Sequence, residues 1–62
     1  MINVDRMPSE YAVLTLARRH RLTVYDAAYL ELAMRENVPL ITYDKPLRRA
    51  AAAEAIAVLP VL

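Results

Sequence analysis

At 62 residues and 7.0 kDa, with no cysteine and a single histidine, the chain has room for one small domain and neither disulfides nor a thiolate or His-rich metal cluster to brace it. A core of this size hides only about 60% of the surface that the unfolded chain exposes. Yet 58% of the residues are hydrophobic, which excludes disorder, and eight Lys/Arg against seven Asp/Glu exclude both a polyanion-binding tail and an acidic one.

Met1–Arg6 sets Ile2 and Val4 against Asn3 and Asp5, an alternation that suits an edge strand or an arm. Asp5, Arg6 and Glu10 fall where a secretory signal needs an apolar core, and no uncharged run approaches the roughly 18 residues of a membrane span. The expectation is a soluble, cytoplasmic protein without a membrane segment, in keeping with the lack of cysteine. Pro8 and Ser9 signal a helix start, and a helix over about Ser9 to His20 gathers Val13, Leu14, Leu16 and Ala17 on one face. It runs into Arg18-Arg19-His20-Arg21, which sets positive charge at the negative end of the helix dipole.

Thr23 is a good N-cap for a second helix over about Val24 to Glu36, with Asp26 three residues on in a capping-box-like arrangement. Asn37 tolerates the left-handed conformation that closes a helix, and Pro39 prevents continuation. Glu31 and Arg35 form a favourable pair one turn apart. Polar positions are otherwise few, so this helix is expected to be buried on most sides, with Tyr25 and Tyr29 in the core and the other tyrosines packed as well.

Leu40–Tyr43 reads as a short strand, Pro46 to Ala55 as an alanine-rich helix opened by the Asp44-Lys45-Pro46 turn, and Ile56–Leu59 as a closing strand. Strand, helix and strand in this order predict a βαβ unit with parallel strands, each an apolar run suited to a sheet covered on two faces. Two strands do not make an independently stable sheet. The expected architecture is therefore one partial α/β domain over residues 1–62, helix-helix-strand-helix-strand, with its parallel sheet completed by a partner chain.

Asp26 and Asp44 are the candidate chemical residues. From Asp26 the helix climbs about 15 Å to Glu36, and the strand returns about 13 Å to Asp44, so the two carboxylates finish near one end of the unit. That end, past the carboxyl terminus of a strand, is where open α/β sheets place ligands. Two hard oxygen anions there suit Mg²⁺ or Mn²⁺. Capping is the commoner role for aspartate at both positions, and spacing alone leaves the two roles open.

The stretch Leu16–Ala51 resembles the C-terminal half of PIN domains, in particular the VapC-type toxin ribonucleases of bacterial toxin–antitoxin pairs. Leu22-Thr23-Val24-Tyr25-Asp26-Ala27-Ala28-Tyr29 and Leu40-Ile41-Thr42-Tyr43-Asp44-Lys45 carry the resemblance. It implies half of a three-layer α/β/α PIN-like domain and a divalent-metal-dependent endoribonuclease, in which about four acidic side chains hold Mg²⁺ or Mn²⁺. Asp26 matches the family's third acidic position, Asp44 its late acidic position and Thr42 the small polar residue beside it. The resemblance thus implies Asp26, Asp44 and Thr42 as catalytic residues, and Asp26 and Asp44 as metal ligands. The family's first aspartate and first glutamate belong to an N-terminal half without a counterpart in the matched stretch. Asp5 and Glu10 correspond to the middle of the family's domain and take neither role. On this reading the chain is truncated, binds metal weakly or not at all, and is inactive alone.

Implied partners are a second copy in a homodimer or higher homo-oligomer, a VapB-type antitoxin, and RNA as substrate where activity is retained. Arg48 and Arg49, near the acidic end, are candidate RNA contacts, with a solvated helix face as the alternative. Arg18, Arg19, His20 and Arg21 suit either RNA phosphates or the helix dipole. Arg21 stands where relatives often carry glycine, which predicts a poorly capped helix end. His20, being solitary, is assigned neither metal nor general-base chemistry. The alternative function is a non-catalytic interaction or oligomerisation module that binds an antitoxin or a complementary fragment. A helix-turn-helix reading is set aside, because the second helix would present Asp26 among apolar residues to DNA.

Overall fold

The computed structural model describes residues 10–61; the expected arm at Met1–Arg6 and the Pro8-Ser9 helix start lie outside the described residues. The elements follow in the order α1 (Glu10–His20), α2 (Val24–Glu36), β1 (Leu40–Ile41), α3 (Lys45–Ala53) and β2 (Val58–Leu59). The strands pair in parallel, Leu40 opposite Val58 and Ile41 opposite Leu59. The fold is thus a small α/β unit of three helices and a two-stranded parallel sheet, in the predicted order and direction. The strands are shorter than Leu40–Tyr43 and Ile56–Leu59 suggest, and α3 stops before Ala55. Hydrogen bonds from Leu40 N–H to Ala57 O and from Thr42 N–H to Leu59 O frame the ladder.

The core lies where α2 meets α1, α3 and the sheet. Leu30 at its centre is fully buried, with Val13 and Leu16 from α1, Leu40 from β1 and Leu47 from α3 around it. Ala27, Ala33, Ala50 and Ala51 are buried too, and their small side chains let the helices approach closely. Glu31 is the buried charge among the described residues, and the Arg35 guanidinium pairs with both of its oxygens at 3.1 and 3.3 Å. The i,i+4 pair expected from sequence is therefore also what allows a carboxylate into the interior.

Each of the three helices among the described residues closes on a left-handed residue, although the chain contains no glycine: Arg21 (φ 55°), Asn37 (φ 55°) and Ala55 (φ 61°). Behind each, a reverse hydrogen bond ties the next residue to the helix, from Leu22 N–H to Ala17 O, Val38 N–H to Ala33 O and Ile56 N–H to Ala51 O. The end of α1 is thus closed by a reverse hydrogen bond despite the missing glycine. What Arg21 lacks is the glycine that would adopt this conformation without strain.

Three packing expectations are corrected. The described residues cover α2 on one side only, and Val24, Tyr25, Tyr29 and Leu32 face solvent on the other. Tyr25 and Tyr29 pack on each other instead of in the core, with ring centroids 5.1 Å apart, edge to face, and hydroxyls 3.2 Å apart. Tyr11 and Tyr43 are exposed as well, so none of the four tyrosines packs in the interior. The sheet has one covered face: Leu40 is buried while Ile41 is 75% exposed. The cause is common to all three, since helical or strand periodicity identifies an apolar side without supplying the layer that covers it. Among the described residues no helix is long and apolar enough to cross a membrane.

Candidate active site

Asp26 lies in the first turn of α2. Thr23 holds the extended N-cap conformation (φ −64°, ψ 158°), and its hydroxyl accepts the Asp26 N–H at 3.1 Å. Thr23 therefore does the capping, and the Asp26 carboxylate has no hydrogen-bond partner among the described residues.

Asp44 is the N-cap of α3, with φ −68° and ψ 118°, and its Oδ2 accepts the Leu47 N–H at 3.0 Å. The capping role that spacing offered is thus real for this residue, yet it uses one oxygen of two. Thr42 orders the same turn, its hydroxyl accepting the Asp44 N–H at 3.1 Å. Pro46 in the first turn of α3 fixes the backbone that follows. No side-chain hydrogen bond or ion pair joins Asp26 to Asp44; what they share is a place at the opening of a helix, one before and one just after the strand β1.

Carboxylate oxygens suit a hard divalent cation, and Mg²⁺ is commonly held by one or two carboxylates together with water and substrate phosphate. Among the described residues no group of three or more His, Cys, Asp or Glu converges. The described residues thus hold neither a preformed cage nor a two-metal clamp.

Arg48 and Arg49 diverge. Arg48 donates from its two terminal nitrogens to Thr42 O and to Pro60 O, each at 2.6 Å, and so ties the end of β1 to the segment after β2. Arg49 is exposed and makes no hydrogen bond or ion pair among the described residues. Sequence reasoning missed the Arg48 clamp, because nothing local reveals where Pro60 returns. It also missed Glu54, whose carboxylate takes hydrogen bonds from Arg19 (2.8 Å) and from His20 Nε2 (2.7 Å). His20, the single histidine of the chain, is thus paired with an acid. The hydrogen bond from His20, then that from Arg19, holds the Glu54 carboxyl below its ordinary value. The signal available in sequence was that Glu54 is the one acid after Asp44, opposite a basic helix end.

Compared with known families, the chain matches the family model described as PIN domain over residues 4–53. No curated protein and no solved structure matches it.

Proposed function

We propose, from the premise that this chain belongs to the PIN domain family, that it contributes carboxylates to a divalent-metal-dependent endoribonuclease centre of the VapC toxin type. The observation that supports this most is the state of the two acids. Asp26 and Asp44 both open helices, and both keep carboxylate oxygen free of protein hydrogen bonds among the described residues.

Asp26 and Asp44 would hold Mg²⁺ or Mn²⁺, which when bound supplies an activated water and neutralises charge on the phosphate under attack. The other steps belong to this chain's residues. Thr42 Oγ1 and the Leu47 N–H hold the Asp44 turn in one geometry, which limits the entropy lost when a ligand binds. Arg48 braces that turn against the segment after β2. The N-terminal ends of α2 and α3 favour negative charge, whether carboxylate or phosphate. Two acids are fewer than the family's cluster, so RNA hydrolysis by Asp26 and Asp44 unaided is expected to be negligible, and further carboxylates must come from outside residues 10–61.

Mn²⁺ titration followed by electron paramagnetic resonance tests the reading. Asp26→Asn and Asp44→Asn should each weaken Mn²⁺ binding at least tenfold while the circular dichroism spectrum stays unchanged. Equal affinity in all three proteins would reject both ligands.

A second reading, an interaction module, is favoured by a separate observation. Tyr25, Tyr29 and Leu32 on α2 and Ile41 on the sheet present apolar surface that the described residues leave uncovered. The occupants considered are a second copy or a VapB-type antitoxin, and both are compatible with the nuclease reading.

A further inference from the structure

The last turn of α1 lies against one side of α3, and between them opens a cavity of about 230 Å³ lined by Arg19, His20, Arg21, Pro46, Arg49 and Ala50. No carboxylate lines it. Arg19 and His20 share the carboxylate of Glu54, whereas Arg21 and Arg49 are exposed and have no partner among the described residues. Three arginines, one from α1, one just past its end and one from α3, thus line one cavity, and the carboxylate beside them is paired with Arg19 and His20.

Local electrostatics accounts for only part of this. A basic residue at the end of α1 complements the helix dipole, which explains Arg19 and His20. Arg49 sits in the middle of α3, away from the carbonyl end where the helix dipole favours a cation. Its neighbour Arg48 is engaged by two carbonyls, but nothing comparable holds Arg49. Arg21 keeps its charge at a left-handed position where glycine would be less strained. Arg21 and Arg49, like charges on one concavity with no counter-ion of their own among the described residues, repel each other, and an anion relieves that repulsion.

We infer that this cavity is a subsite for a backbone phosphate of the RNA strand, with Arg21 and Arg49 as its principal donors and Arg19 beside them. Guanidinium groups suit phosphate because their parallel N–H donors match two of its oxygens. Pro46 belongs both to this cavity and to the turn opened by Asp44, so a strand bound here passes close to that turn. The choice of RNA over other polyanions rests on the proposed function; the anion site itself does not.

The test measures binding of a fluorescein-labelled single-stranded RNA 12-mer to the full chain in EDTA, over a series of KCl concentrations. Arg21→Gln and Arg49→Gln should each weaken binding at least fivefold at low salt and make the slope of log affinity against log salt shallower by about 0.7, the value for one phosphate contact on a single strand. Arg18→Gln, exposed on α1 but outside the cavity, should leave that slope in place. An unchanged slope in the Arg21 and Arg49 variants, or an equal change in the Arg18 variant, would overturn the subsite. Inorganic phosphate should shift the Arg21 and Arg49 side-chain NMR signals and compete with the RNA for them; shifts without competition would reject the strand and leave a small-anion site. Because EDTA removes the metal, failed catalysis leaves this result untouched, and a failed slope test leaves the Mn²⁺ titration untouched.

Discussion

Glu54 and Arg48 show how single side chains far apart in sequence close this small fold. Glu54 has a lowered pKa because His20 and Arg19 stabilise its ionised form. A depressed folded-state pKa contributes stability that is present above the ordinary carboxylate value, about 4.3, and is lost as pH falls through the lower folded value. Thermal unfolding followed by circular dichroism should therefore show a stability loss on acidification below that range, and Glu54→Gln should flatten it. An identical acid slope in the variant would show that the contact does not carry the effect. Arg48 supplies charged donors to two carbonyls that the sheet leaves without partners. Arg48→Met keeps much of the apolar stem and removes those donors, and it should cost about 2 kcal/mol in urea unfolding. The Arg48 role was not legible in the sequence, since it depends on where Pro60 returns, and for Glu54 the sequence offered only a lone late acid to set against a basic helix end. Asp44 was half legible: its capping follows from Asp before a helix-opening proline, whereas its remaining free oxygen becomes visible only with the hydrogen bonds in place.

At the level of elements, both ends of α2 were written locally. Thr23 carries the side-chain oxygen an N-cap needs, and Asn37 is among the few non-glycine residues that enter the left-handed region readily. The end of α3 carried no such mark. Alanine continues a helix by propensity, so Pro46–Ala55 reads as helical throughout, yet Ala55 turns left-handed and the Ile56 N–H reaches back to Ala51 O. Burial of Ala51 against the core and the need to bring Val58 alongside Leu40 override the propensity of one residue. The strain is then recoverable. A non-glycine residue in this region costs on the order of 1–2 kcal/mol, and asparagine less. Ala55→Gly should raise stability by about 1 kcal/mol in urea unfolding, offset in part by the greater freedom of glycine in the unfolded chain, while Asn37→Gly should change it by only a few tenths. A destabilised Ala55→Gly protein would mean that the closure of α3 is not held in the left-handed conformation in solution. Arg21→Gly is a poorer probe of strain, because it also deletes a charge from the cavity beside α3.

The whole molecule raises a question that neither scale below it answers. The sequence correctly indicates three helices and a parallel strand pair, because each has local punctuation and a consistent apolar period. It misplaces the tyrosines, because Tyr25 and Tyr29 lie one turn apart on a side of α2 that nothing among the described residues covers. A two-stranded sheet with Ile41 three-quarters exposed, beside a helix with Tyr25, Tyr29 and Leu32 outward, leaves apolar surface in water at about 25 cal/mol per Å². Pairing of two copies through these surfaces would remove it, and the near-balanced net charge of +1 opposes such pairing only weakly. Sedimentation equilibrium at micromolar concentration should therefore give at least twice the 7.0 kDa of the chain. Ile41→Lys and Leu32→Lys, each adding a charge to this surface, should shift the equilibrium toward the single chain and lower the melting temperature in a concentration-dependent way. A well-folded single chain at micromolar concentration, with a melting temperature independent of concentration, would show that this surface does not pair two copies.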